Sequence, residues 1–201
     1  MSKCLAPTRT KLAVIILAAG GSSRLGRPKQ LLRYRGQPLI VRAVHLAATV
    51  TDDKIIVVLG DQQLRLRRAL RSRPGNSRLV TNSKWRLGQA SSLRRGLAAV
   101  PAGTAAVLVL VVDQVFLTAK DLTRLVSAWR RRAAKPAVAS HNIAIGVPAI
   151  IPRRWFASLR KLEGDVGAKP LLRTIACLTQ VAMPHAAFDV DTEQDAAKLE
   201  N

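Results

Sequence analysis

Eight consecutive residues, Ala105–Val112, carry no polar side chain. That is strand length and far short of a membrane span. Successive side chains on a strand point to opposite faces, so such a run must be buried on both. Lys11–Ala18 and Lys54–Gly60 have the same character. Strands buried on both faces belong to sheets covered by helices on two sides, and those sheets are mostly parallel. The intervening segments supply the helices. Pro38–Thr49 has Leu39, Val41, Val44 and Leu46 at helical spacing, Asp61–Arg73 is a basic helix with Asp61 as candidate cap, and Gly88–Val100 and Thr118–Arg132 follow, the latter capped by Thr118. Further on, Leu79–Asn82, Ala137–Ser140, Ala144–Ile151, Leu178–Met183 and Ala187–Val190 fit short strands. Pro152–Leu162, Pro170–Ile175 and Glu193–Leu199 fit helices. The expectation is a Rossmann-like α/β three-layer sandwich, one domain over 11–201 after an N-terminal tail (1–10), with Ala105–Val112 as its central strand.

Charge and cysteine count narrow the function. Lys and Arg total 33 against 12 Asp and Glu, a net charge of +21. That balance favours anionic ligands. Aromatic residues are only 3%, too few for a base-stacking platform, so nucleic acid is not the expected partner. Met1–Lys11 has no apolar segment before a small-residue cleavage site, so no signal peptide is expected. Cys4 and Cys177 are too few for a disulfide framework or metal cluster; Cys177, in an apolar stretch, fits a core position. His45, His141 and His185 lack metal spacing, and Trp129 fits helix packing. A cytoplasmic protein with no membrane association is expected.

Ligands of open α/β sheets bind beyond the carboxyl ends of the strands, and three motifs fall there. Leu17-Ala18-Ala19-Gly20-Gly21-Ser22-Ser23-Arg24 through Lys29 follows the first strand. Its glycines let backbone N–H groups approach phosphate oxygens, its serines add donors, and Arg24 and Lys29 can neutralise a triphosphate. The spacing is neither that of a Walker loop nor a dinucleotide fingerprint. Asp113-Gln114 ends the most apolar strand, where a carboxylate is costly unless a cation or hydrogen bonds compensate; Mg²⁺ suits it. Asp189 and Asp191, two apart on an expected strand, would share a face, although Asp191-Thr192 could equally cap the last helix. Two weaker patches are Asn82–Ser92, which leads into a helix N-terminus able to face an anion, and the loop Gly164–Lys169, with one acid and one base.

Taken in order, these motifs resemble the molybdenum cofactor cytidylyltransferase branch of the nucleotidyltransferases. The resemblance rests on Leu17–Lys29, Pro28-Lys-Gln-Leu-Leu32, Gly36-Gln-Pro-Leu39, Asn82-x-x-Trp85-x-x-Gly88-x-x-x-Ser92, Asp113-Gln114, Gly146-x-Pro148, Gly164-Asp165-x-Gly167 and Asp189-x-Asp191-Thr192. It implies nucleotide transfer from a nucleoside triphosphate to a phosphate monoester, with release of pyrophosphate. By that resemblance Leu17, Ala18, Ala19, Gly20 and Gly21 hold the nucleotide with Arg24, Lys29, Asn82, Gly88 and Ser92. Lys29, Arg24 and Asp113 are catalytic, Asp113 and Asp191 hold Mg²⁺, and Trp85, Gln114 and Asp165 face the acceptor. Ala19, where the guanylyl branch more often has Gly, favours CTP. Molybdopterin is the implied acceptor and a molybdoenzyme a transient partner. GTP or a sugar phosphate as substrate, or polyanion binding without catalysis, are the alternatives.

Overall fold

A computed structural model describes residues 10–141 and 144–199. Cys4 and nearly all of the expected tail lie outside them. In chain order the elements are β1 (Leu12–Ala18), a small antiparallel hairpin of β2 (Arg33–Tyr34) and β3 (Gln37–Pro38), α1 (Leu39–Ala48), β4 (Ile55–Leu59), α2 (Gln63–Ala69) and β5 (Ser77–Thr81). Then come α3 (Gln89–Ala98), β6 (Ala106–Val111), α4 (Ala119–Arg131), β7 (Ala137–His141), β8 (Ala144–Pro152), α5 (Phe156–Arg160), α6 (Lys169–Thr174), β9 (Thr179–Ala182) and α7 (Glu193–Ala197).

The main sheet has seven strands in the order β5-β4-β1-β6-β8-β7-β9. Only β8 runs antiparallel to its neighbours. The wholly apolar run therefore becomes the fourth of seven strands, the central position. Alternation within the strands explains the two-sided core. Leu12, Val14 and Ile16 of β1 and Leu108 and Leu110 of β6 face a layer containing Leu39, Val44, Leu66, Leu125 and the buried Trp129. Ala13, Ile15 and Leu17 of β1 and Val107 and Val109 of β6 face Leu93, Leu97, Phe156, Leu159 and Leu172. Each large side chain so buried contributes about 1.5–3 kcal/mol. Helix α3 comes very close to the sheet: a Cβ at Gly96 would sit 2.6 Å from Ile15 Cγ2. Among the described residues no helix is long and apolar enough to cross a membrane.

Local chemistry sets the boundaries. Thr118 and Asp121 form a reciprocal capping box that starts α4 as expected. Three expectations fail. Asp61 does not cap α2; the capping position is Gln62, at φ 51 with no side-chain bond. Ala187–Val190 is not a strand, because Pro184 lacks an N–H and opens a 3-10 turn, Pro184–Ala187, that leaves the sheet edge. Cys177 is exposed, in the short connection between α6 and β9.

Candidate functional site

The stretch that failed to become a strand builds the site. After the Pro184–Ala187 turn the chain crosses back over the end of β6, where the Val190 N–H donates to the carbonyl of Asp113 (3.2 Å). Thr192 and Asp195 then cap α7 through a second capping box. With Thr192 as cap, Asp191 is left to face the Gly-rich loop.

Three motifs remote in sequence meet there. Lys29 Nζ lies 2.5 Å from Asp113 Oδ2 and 2.9 Å from Asp191 Oδ1, and Arg24 Nη2 lies 2.9 Å from Asp191 Oδ2. Burial works against the Lys29 charge, but the Asp113 and then the Asp191 carboxylate outweigh it and raise its pKa above the ordinary lysine value. Burial likewise opposes the Asp191 charge and is outweighed by Lys29 and Arg24, so its pKa is lowered. The second Asp113 oxygen, Oδ1, is buried without a hydrogen-bond partner. Asp189 points elsewhere, into a neighbouring chamber. Its carboxyl is raised to about 6, first by desolvation against the chamber walls, though part of the side chain stays exposed, and then by the Asp113 and Asp191 charges. The two aspartates thus diverge rather than share a strand face.

Two chambers adjoin at Asp113, and Asp191 lines neither of them. The first, about 530 Å³, is lined by Leu17–Gly21, Lys29, Gln30, Trp85–Gln89, Ser92, Val111–Asp113, Gly164 and Asp165. The second, about 480 Å³, shares Gln89, Val111, Asp113 and Asp165, and adds Gln114, His141, Val147, Lys169, Arg173 and Asp189. The ring of Trp85 packs on Gly21, where a Cβ would sit 2.9 Å from it, and the Arg86 guanidinium lies over the ring, 4.6 Å from its centroid.

Several expected contacts are indirect. Asn82 lines neither chamber; it is buried, and its amide donates to the hydroxyls of Ser91 and Ser92. Gln114 borders the second chamber while its amide donates to the carbonyls of Val147 and Ala186. The α3 N-terminus is already capped from within: Asp165 Oδ1 accepts from the Gln89 N–H and the Gly164 carbonyl from the Ala90 N–H. Arg24 lies at the exposed rim. The sequence reading missed Gln30, His141 and Arg173 as cleft residues, while Gln89 and Lys169 fell within its two weaker patches. Gln30 stands inside the Pro28–Leu32 motif, but nothing in sequence marks it as buried; the others come together only through the topology.

Comparison with known proteins gives one family. Residues 14–181 match the MobA-like NTP transferase domain. The chain is 31% identical over 195 residues, 92% of its length and 94% of the relative's, to nicotine blue oxidoreductase of Paenarthrobacter nicotinovorans. Among solved structures it is similar to Rv0371c from Mycobacterium tuberculosis H37Rv, with TM-score 0.83 and 28% identity over 96% of this chain and all (100%) of that one. It is also similar to the manganese complex of Rv0371C, with TM-score 0.76 and 27% identity over 94% of this chain and 97% of that one.

Proposed function

Because this chain belongs to the MobA-like NTP transferase family and is a nucleotidyltransferase, we propose that it moves the CMP group of CTP onto a phosphate monoester, with molybdopterin as the candidate acceptor. The observation that carries the reading is the meeting of Lys29 and Asp191 with Asp113, the carboxylate of the three that borders both chambers. One chamber is bordered by the Gly-rich loop and suits a triphosphate; the other has the volume and the Lys169 and Arg173 cations for a phosphorylated acceptor.

In the proposed reaction an oxygen of the acceptor phosphate bonds to the α-phosphorus while the bond to the bridging oxygen breaks, and pyrophosphate leaves. Such transfers depend on positioning and on charge neutralisation. Gly20 and Gly21 let the loop backbone approach the phosphates, and Lys29 and Arg24 offset their charge. Asp113 and Asp191 would hold a divalent cation. They fit one because Asp113 Oδ1 is buried without a partner and because the two carboxylates already bracket a cation, the Lys29 ammonium. A relative characterised as a manganese complex supports a divalent metal; Mg²⁺ is our assignment. When bound, the ion would neutralise phosphate charge and polarise the α-phosphoryl group. A cytoplasmic location, residues 1–10 as a tail and transient contact with a molybdoenzyme complete the reading.

A second reading has its own support: the relative that matches nearly end to end is named an oxidoreductase. One assay separates them. The protein is incubated with Mg²⁺, each of CTP, GTP, ATP and UTP, and molybdopterin or a sugar phosphate, and pyrophosphate is measured; oxidation of a reduced nicotinamide by quinoid dyes is followed in parallel. Pyrophosphate release that is fastest with CTP and needs molybdopterin supports the proposal. Release with GTP or a sugar phosphate redirects it within the family. Dye reduction without pyrophosphate release overturns it.

A further inference from the structure

The Gly-rich loop is fastened by residues that the proposed chemistry leaves unused. Gln30 is 2% exposed, and its amide nitrogen donates to two loop carbonyls, Gly20 at 2.8 Å and Ala18 at 3.1 Å. The carbonyl between them, Ala19, accepts from the Asp61 N–H at 3.2 Å. Three successive acceptors thus each have a protein donor. The N–H groups of Gly20, Gly21 and Ser22, by contrast, make no hydrogen bond to another described residue. Ser22, at φ 54, turns the chain, and its hydroxyl accepts from the Lys29 N–H at 3.1 Å. The 3-10 turn Lys29–Leu31 therefore carries two consecutive residues with linked tasks. Lys29 sends its ammonium to the carboxylate wall, and Gln30 sends its amide back to the loop.

We infer that Gln30 is a positioning residue for triphosphate binding, keeping the Ala18 and Gly20 carbonyls engaged so that neither turns towards the phosphates. The reasoning is electrostatic. A peptide unit presents its N–H and C=O on opposite sides, and a carbonyl oxygen turned towards a phosphate repels it. Donors aimed at anions are effective when the alternative, acceptor-forward orientations of the backbone are closed off in advance. Side chains elsewhere on the loop cannot do this, because Ser22 and Ser23 themselves offer both donor and acceptor. Gln30 also joins Lys29 to the loop mechanically: a shift of the loop carries the turn and hence the ammonium. The inference rests on the triphosphate reading of the first chamber and adds to it the residue that sets the loop's polarity.

The test uses two near-isosteric variants, Gln30→Glu and Gln30→Met, with binding of inorganic tripolyphosphate, CTP and cytidine measured by calorimetry in the presence of Mg²⁺, alongside thermal unfolding. Both variants keep the volume and lose the two donated bonds. Tripolyphosphate and CTP should each bind about tenfold to hundredfold more weakly. Cytidine, which has no phosphate, should bind as it does to the unchanged protein. Mn²⁺ affinity, read by electron paramagnetic resonance, should also stay constant, because Asp113 and Asp191 are untouched. Unchanged tripolyphosphate affinity in folded variant protein would overturn the inference while leaving the nucleotide site standing. An equal loss for cytidine and tripolyphosphate would overturn it too, since that marks collapse of the chamber. If the unchanged protein binds neither tripolyphosphate nor CTP, the triphosphate reading itself has failed. Should Gln30→Glu not fold, Gln30→Met, which adds no charge, carries the same outcomes.

Discussion

The two chambers differ in how they are made. The first takes its loop, its cation and its brace from one stretch, Leu17–Gln30, so its phosphate-facing part is continuous in sequence, while Trp85–Gln89, Ser92, Val111–Asp113, Gly164 and Asp165 complete its wall. The second is gathered from α3, the end of β6, the β7–β8 region, the start of α6 and the run before α7. A contiguous site depends on local backbone geometry, whereas a gathered site depends on the topology and on a few ties between distant segments. Damage to the first should therefore appear as lost nucleotide affinity, and damage to the second as lost acceptor affinity coupled to stability. Asp113 borders both, which makes it the point where the distinction should vanish.

The largest effect is expected there. Asp113→Ala should lower turnover by about 10²–10³-fold or more with every acceptor tested. Thermal unfolding should change little, since Asp191 still pairs with Lys29 at 2.9 Å and the Asp113 carbonyl still accepts from Val190. Turnover near that of the unchanged protein would remove the carboxylate wall from the reaction.

Next is Gly88→Ala, at the seam. Gly88 has φ +91, and a Cβ there would lie 2.4 Å from the Gly164 backbone. The strain and the forced loop shift should cost about 1–3 kcal/mol of stability. They should also break the Asp165–Gln89 and Gly164–Ala90 bonds; Gly88 and Gly164 line the first chamber and Gln89 and Asp165 line both, so KM for the triphosphate should rise at least as much as KM for the acceptor. A rise in acceptor KM alone, measured by steady-state kinetics at saturating co-substrate, would assign this seam to the second chamber. Gly21→Ala is the smaller counterpart in the first chamber. Its Cβ would meet the Trp85 ring at 2.9 Å, and a side chain can yield where a backbone cannot. KM for the triphosphate should rise about tenfold with acceptor KM unchanged.

The same contrast explains what the sequence made legible. Alternating burial within apolar runs is a local signal, so the sheet, the central place of β6 and the α4 capping box were readable in advance. So was the loop, because glycines and cations in one run carry their chemistry with them. The closeness of Lys29, Asp113 and Asp191 was recoverable only through the resemblance, since no spacing rule links residues 162 apart. The error at Ala187–Val190 has a physical origin: its apolar residues follow strand alternation, but Pro184 has already turned the chain from the edge, and its remaining backbone bond is to Asp113. Cys177 misled for a related reason. Its apolar neighbours Ile175 and Leu178 pack against the core while the connection between them bows outward. Gln30 was not legible at all, because a polar residue in a motif gives no sign of being buried.

The smallest predicted effect concerns how the gathered site is held from outside. His185, in the turn ahead of Asp189 and Asp191, has its Nδ1 2.9 Å from Asp121 Oδ2 on α4. The same oxygen accepts from the N–H and hydroxyl of Thr118. Burial opposes the Asp121 charge, but the Thr118 and His185 bonds outweigh it and lower its pKa below the ordinary 3.8. A carboxyl depressed in the folded state contributes stability that is fully present above its unfolded pKa. That contribution is lost as pH falls through the folded value, because the unfolded chain takes up its proton first. His185→Ala leaves the capping box whole, with Thr118 still donating twice to the buried Asp121 carboxylate, so stability at neutral pH should fall by about 1 kcal/mol, the net worth of one hydrogen bond. Its signature is the acid limb: with one of the depressing contacts gone, the decline of stability below about pH 4 should become shallower than in the unchanged protein. Denaturant unfolding at a series of acid pH values measures that slope. An identical slope would mean that the turn is held by the Gln114 bond to the Ala186 carbonyl and by the Val190–Asp113 bond alone. The second chamber would then be anchored from the strand ends, like the first, and the difference between the two would shrink to their sequence continuity.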